Sequence, residues 1–185
     1  MITIVFAHPW HGSFNHAILD AITHKLDKEE LRYQIIDLSA EKFNPAMTTD
    51  DLRLYSKGET TDPLVQKYKK MLQHTDELIF IFPIWWGMLP ASLKGFFDKV
   101  LLRGSAFNYD KNGNMIPGLK ISRSLIITTS QGETEIYRSF MEGYLIPYLL
   151  NAVGICGNEW HNCQYTSHGP QSNREDFLKR IVELV

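Results

Sequence analysis

Five short runs rich in apolar, often β-branched residues punctuate the chain: Ile2–Ala7, Arg32–Leu38, Glu77–Phe82, Ser122–Thr129 and, in weaker form, Ile155–Tyr165. The third and fourth are nearly unbroken (Leu-Ile-Phe-Ile-Phe and Leu-Ile-Ile). Lack of polar alternation predicts parallel strands covered on both faces. Between the runs, apolar residues recur at helical spacing. Ser13 caps a helix whose apolar face is Phe14, Ile18, Ile22 and Leu26. Asp62-Pro63 supplies a cap followed by proline at the first helical position, and Leu64, Val65, Tyr68, Met71 and Leu72 continue the stripe. A third helix carries Leu93, Phe96, Phe97, Val100 and Leu101. A fourth runs through Ile136, Phe140 and Tyr144, with Pro147 expected to kink or end it. The last starts at Ser172, with Glu175 three residues on as a capping-box pair, and turns Phe177 and Ile181 inward.

Strands alternating with helices in this way predict one doubly wound α/β domain over residues 1–185, with a five-stranded parallel sheet in the order 2-1-3-4-5. Ligands of such sheets sit at the carboxyl ends of the strands, beside the switch point between strands 1 and 3. The loops after strands 1, 3 and 4 therefore carry the functional question.

Composition narrows the classes. The 185 residues are 44% hydrophobic and 22% charged, ordinary for a globular domain, with no internal repeat or low-complexity tract. A net charge of −2 with interspersed signs gives no nucleic-acid footprint. Cys156 and Cys163 stand outside any CxxC spacing, so neither a disulfide framework nor a redox pair is expected, and the reducing cytoplasm is the expected compartment. No apolar run is long enough to insert in a membrane.

The loop after strand 1, His8-Pro9-Trp10-His11-Gly12-Ser13-Phe14-Asn15, feeds a helix whose free N–H groups and positive dipole end form a seat for phosphate. His8, Ser13 and Asn15 add side-chain donors, although Ser13 alone also reads as a simple cap. Neither the GxGxxG nor the GxxxxGK[ST] pattern is present. His8, His11 and His16 are close in sequence but match no zinc spacing, and no metal is expected. After strand 3, Pro83-Ile84-Trp85-Trp86-Gly87-Met88-Leu89-Pro90 places adjacent tryptophans in a loop bounded by prolines. They suit an aromatic wall beside a flat ring; alternatively one fills the core and the other seals a subunit contact. After strand 4, Thr128-Thr129-Ser130-Gln131-Gly132-Glu133 offers small residues for close backbone approach, or simply a polar turn.

Taken in order, these segments resemble the flavodoxin-like NAD(P)H:quinone oxidoreductase family, including its bacterial short-chain members. The resemblance is carried by Ala7-His8-Pro9 with Ser13-Phe14-Asn15, by Phe82-Pro83-Ile84-Trp85-Trp86 with Pro90 and Leu93-Lys94-Gly95-Phe96-Phe97-Asp98, by Thr128-Thr129, and by the hairpin-like stretch Ala106–Gly118. It covers nearly the whole chain. It implies a noncovalent flavin, with chain length favouring FMN over FAD unless Met47–Thr61 and a partner subunit make an adenine pocket. It further implies that His8, Ser13, Phe14 and Asn15 hold phosphate and ribityl chain, that Pro83, Ile84, Trp85 and Trp86 line the isoalloxazine, and that Thr128, Thr129 and Gly132 approach its other edge. Family members are homodimers, so Phe107 or Tyr109 is expected to close the partner's pocket.

The implied reaction is hydride transfer from NADH or NADPH, through flavin N5, to a quinone-like acceptor in a ping-pong cycle. Backbone amides around Gly132 and Glu133 would meet charge on the reduced ring, with Tyr137 as proton donor. The mammalian enzymes pair that Tyr with a His, whose position falls here on Gly143 or Tyr144, and Trp85 stands where relatives often have Gln. An alternative reading is a regulatory flavoprotein subunit that docks on the cytoplasmic domain of a potassium efflux transporter. A one-electron carrier is disfavoured, since such carriers are strongly acidic and this chain is not.

Overall fold

Stretches of sequence with no polar face have to be covered twice, and the architecture follows from that. The computed structural model describes residues 1–185. In chain order the elements are β1 (Ile2–Phe6), α1 (Phe14–Lys28), β2 (Tyr33–Asp37), α2 (Thr49–Tyr55), α3 (Pro63–Gln73), β3 (Glu77–Pro83), α4 (Ala91–Val100), β4 (Phe107–Tyr109), β5 (Met115–Pro117), β6 (Arg123–Thr129) and α5 (Thr134–Phe140). A π-helical segment (Met141–Leu150), α6 (Asn151–Val153), β7 (Asn158–Cys163) and α7 (Gln171–Val182) complete the chain. The main sheet is parallel throughout, in the order β2-β1-β3-β6-β7, which is the predicted 2-1-3-4-5 arrangement. β4 and β5 form a separate antiparallel hairpin within the stretch read as hairpin-like.

Alternate residues of the central strands feed two cores. On one face Ile4, Phe6, Ile79, Ile81, Leu125 and Ile127 pack against Ile18, Ile22 and Leu26 of α1 and Phe177 and Ile181 of α7. On the other, Val5, Phe80, Phe82 and Ile126 meet α3, α4 and the π-helical segment through Tyr68, Phe96 and Leu145. Helix starts are fixed locally: Ser13 accepts from the His16 N–H, and Asp62 accepts from Leu64 and Val65 with Pro63 following, both as the sequence predicts.

Three expectations are corrected. The stripe Ile136, Phe140, Tyr144 faces the core only at Phe140: Ile136 and Tyr144 are exposed, and Met141, Leu145 and Leu150 are the buried positions. The wider π-helical turn shifts the register and carries the chain past Pro147 to Val153, so this proline does not end the helix. The capping box at Ser172 and Glu175 does not form: Pro170 takes the cap position, and Glu175 accepts from the Gln171 side chain. Helix α2 was not anticipated, although Thr48 and Asp51 make a reciprocal capping box there. Buried Lys99 holds it in place, reaching Asp51 (3.4 Å), Asp62 (3.1 Å) and the Asn44 carbonyl (3.2 Å). No helix is long and apolar enough to cross a membrane.

Candidate functional site

α1 follows β1 on one face of the sheet and α4 follows β3 on the other, so a crevice opens where the two connections diverge. It is a cleft of about 540 Å³. The three loops are tied together there: Ala7 N–H donates to Ile81 O (3.0 Å), Ile84 N–H to Thr129 O (2.8 Å), and Ser130 N–H to Cys163 O (2.9 Å).

Of the residues singled out in the sequence, His8, Ser13, Phe14, Asn15, Pro83, Ile84, Trp85 and Thr129 line this cleft together. At its floor Asn15 is buried and donates from Nδ2 to Thr129 Oγ1 (2.8 Å), which bridges the first and third loops. Its Oδ1 is buried without a partner, and a buried acceptor left unpaired calls for a donor from outside the chain. The backbone N–H groups of Phe14 and Asn15, in the first turn of α1, likewise donate to nothing in the chain. Gly12 lets the Trp10 indole fold over it, since a Cβ there would lie 2.4 Å from that ring and push it aside.

His8 stands beside Trp85, ring centroids 5.8 Å apart in an edge arrangement. Burial lowers its pKa from the ordinary value, with a smaller lowering from the nearby His16 ring. The Trp10 N–H donated to Nδ1 (3.1 Å) also holds that nitrogen deprotonated and leaves Nε2 as the ring's donor. His16 meets His11 edge-on and bonds to it (2.8 Å) and to Asp20 (3.2 Å). No three His, Cys, Asp or Glu side chains converge as a metal site requires.

The remaining predicted residues lie outside the cleft wall. Thr128 is fully buried, and its hydroxyl turns away to Asn162 and Trp160. Trp86 projects wholly into solvent at 102% relative exposure. Gly132 and Glu133 sit on the loop after β6, where the N–H groups of Gln131, Gly132 and Glu133 donate to nothing in the chain. The Glu133 carboxylate accepts from the Tyr165 hydroxyl (2.9 Å), a bond that raises the Tyr165 pKa. Tyr137 brings its hydroxyl against Gly132, where a Cβ would be 2.6 Å away. Phe107 and Tyr109 pack on each other edge-to-face in the hairpin, away from this chain's own cleft, with the Arg103 guanidinium over the Tyr109 ring.

Arg174, in the first turns of α7, was missed. It lines the cleft and donates to Thr166 O (2.8 Å), bringing a fixed positive charge near the α1 N-terminus. A single arginine on a helix face gives no sequence signal. Trp10, Gln131 and Ser167 were missed as well. Trp10 lies in the loop already quoted, and its neighbour Gly12 was the available clue.

Comparison with known proteins agrees with this geometry. The flavodoxin-like fold family matches residues 1–184. The uncharacterized NAD(P)H oxidoreductase YcaK of Escherichia coli is 30% identical over 183 residues, covering 90% of this chain and 91% of that protein. The ribosyldihydronicotinamide dehydrogenase [quinone] of Mus musculus is 30% identical over 184 residues, covering 84% of this chain and 76% of that protein. In structure, the NAD(P)H:quinone oxidoreductase from Methanothermobacter marburgensis superposes with a TM-score of 0.84 at 26% identity, covering 98% of this chain and 95% of that one. With its sheet order, its cleft at the β1/β3 switch point and these relatives, the chain belongs to the flavodoxin-like NAD(P)H:quinone oxidoreductase family.

Proposed function

We propose that the cleft binds a flavin and that the protein is a flavin-dependent oxidoreductase passing hydride from NADH or NADPH to a quinone-like acceptor. The observation that carries this is the unpaired Asn15 Oδ1, buried at the cleft floor beside the free N–H groups of Phe14 and Asn15. A phosphorylated polyol fits that donor set. Its phosphate suits the helix N-terminus, and a hydroxyl suits the orphan acceptor. Arg174, the Ser13 hydroxyl and the Nε2–H of neutral His8 complete the polar side. Pro83, Ile84, Trp85 and Trp10 supply the apolar side.

Bound flavin would supply a hydride relay, taking hydride at N5 from the nicotinamide and giving it to the acceptor, the two substrates using one face in turn. The chain's own work is to bind, orient and shield. Pro83 and Trp85 wall the apolar end, which limits water around the reacting rings. The unpaired amides of Gln131, Gly132 and Glu133 form a run of donors suited to charge that grows on reduction. The Tyr137 hydroxyl, which lies against Gly132, is the proton donor assigned to this loop. FMN is favoured over FAD by chain length, and within one chain the segment Met47–Thr60 encloses only about 10 Å³.

The face left bare by the π-helical register supports a homodimer. Phe140 and Tyr144 stack at 6.3 Å, Tyr144 and Tyr148 follow at 5.8 Å, and Ile136 extends the same surface. Such a strip suits burial against a second copy, with Phe107 and Tyr109 closing the partner's cleft. The decisive experiment for the cleft is flavin uptake: purified chain mixed with FMN or FAD should hold FMN through gel filtration and oxidise NADH or NADPH with a simple quinone. A chain that retains neither flavin removes the reading.

A further inference from the structure

A second set of hydrogen bonds converges behind the loop that follows β6, reaching the cleft only at Ser130. Asn162 lies on β7, the edge strand, directly across from Thr128 in the sheet register, and it is 9% exposed. Its Oδ1 accepts from the Thr128 hydroxyl (2.9 Å), which in turn accepts from the Trp160 indole N–H (2.9 Å). Its Nδ2 donates to both rims of the loop, to Ser130 Oγ (2.9 Å) and to Thr134 Oγ1 (3.0 Å). Ser130 Oγ passes the constraint on by donating to the Gly132 carbonyl (2.8 Å). In a trans peptide the carbonyl and the following N–H point in opposite directions. Aiming the Gly132 carbonyl inward at Ser130 therefore turns the Glu133 N–H outward, where it meets no partner in the chain. One buried amide thus joins the end of β6 to both ends of the loop and fixes the sense of a peptide inside it.

We propose that Asn162 is a positioning residue that presets the donor run Gln131–Glu133 for the ligand of the cleft. This rests on the flavin reading given above and deepens it. The loop's free amides have value only if they are aimed before the ligand arrives, since ordering them at binding would oppose affinity. Asn162 touches neither the cleft nor its ligand; it acts through Ser130, Thr134 and the Gly132 carbonyl.

The fold contains its own control. Ser124 and Asn158 form the same hydroxyl-to-amide bond (2.6 Å) between β6 and β7, at another register pair and far from the loop. Four residues of strand separate the two pairs, about 13 Å. The test compares full-length wild type with Asn162→Ala, Ser130→Ala and Ser124→Ala by backbone NMR order parameters of Gln131–Glu133 without ligand, by FMN dissociation constant, and by the midpoint potential of the bound flavin. In wild type the loop should show values near the rigid-backbone figure of about 0.85, falling below about 0.6 in Asn162→Ala. The FMN dissociation constant should rise about tenfold, as expected for losing one to two buried hydrogen bonds, and the midpoint potential should become more negative. Ser130→Ala, which cuts the loop side of the clamp at a residue that also lines the cleft, should reproduce the loss of order, and this ligand-free readout serves if Asn162→Ala does not fold. Ser124→Ala should leave all three readouts at wild-type values. The proposal is overturned if the Asn162 and Ser130 variants keep wild-type order and affinity, or if Ser124→Ala shifts them as much. If wild type itself binds no flavin, the reading of the cleft fails, and the ligand-free order parameters still decide whether the clamp exists.

Discussion

Trp86 should be replaceable by Asn with a gain in stability and a loss of ligand binding. Residues Trp85 to Met88 form a tight turn closed by reciprocal bonds, Trp85 N–H to Met88 O (3.1 Å) and Met88 N–H to Trp85 O (3.0 Å). Its two central residues, Trp86 and Gly87, have φ of 52° and 74°. Positive φ at both places is the type I′ pattern, which favours Asn-Gly. A residue with a Cβ costs roughly 1–2 kcal/mol in that region, and Asn less than most. The Trp86 side chain is fully exposed, so no packing is lost on replacement. The net gain should be about 0.5–1.5 kcal/mol. With an unfolding entropy of about 2.1 cal/mol/K per residue, 185 residues give roughly 0.4 kcal/mol/K, so Tm should rise by about 1–4 °C. If this strained and exposed tryptophan covers the ligand when the proposed site is filled, the rise in Tm on adding FMN should shrink in Trp86→Asn. Differential scanning fluorimetry with and without FMN, at two protein concentrations, reads both. A lower Tm for the ligand-free variant would show that the indole makes contacts this geometry lacks. An unchanged FMN increment would remove Trp86 from the site.

Arg174→Met should weaken FMN binding about three- to tenfold at low ionic strength and flatten its salt dependence, measured by fluorescence quenching, because a fixed charge facing the phosphate is gone. His8 and His161 both have pKa values lowered, chiefly by burial, so below about pH 6.5 the unfolded chain binds more protons than the folded one. Stability should therefore fall as pH drops from about 6.5 through the folded-state values and stay flat above, and urea titrations of His8→Gln with His161→Gln should show a shallower fall. Lys99→Met should cost about 2–4 kcal/mol in urea denaturation, since it strands the Asp51 and Asp62 carboxylates at a buried site. If the proposed homodimer forms through the aromatic strip, Tyr144→Glu should give a monomer in sedimentation velocity where wild type gives a dimer, by placing charge there; a monomeric wild type would refute the strip as a self-contact.

The sheet was legible because its strands carry their burial in their composition. Leu78 to Phe82 and Leu125 to Ile127 are apolar at every position, and only a parallel strand between two helical layers needs that. Helix starts were legible where a cap and an apolar stripe coincide, as at Ser13 and at Asp62-Pro63. The reading failed where one stripe was chosen from two. Ile136, Phe140 and Tyr144 have ideal helical spacing, yet of these only Phe140 touches the core, and Met141, Leu145 and Leu150 are the fully inward residues. A helix that serves both a core and a second surface carries two apolar faces, and periodicity alone does not rank them.

The cleft shows the same division. Residues that follow a strand end in chain order, such as His8 to Asn15 and Pro83 to Trp85, could be placed because topology brings consecutive loops to one edge. Arg174 arrives from an element roughly 90 residues beyond Trp85, and only the packing of α7 beside α1 carries it there. Thr128 marks the opposite error. On sequence it belongs with Thr129, yet adjacent strand residues point to opposite faces. Thr129 consequently bonds to Asn15 at the cleft floor, while Thr128 turns to Asn162. A polar side chain in a buried strand need not address a ligand; it can address the edge strand, whose own amide then governs the loop that does.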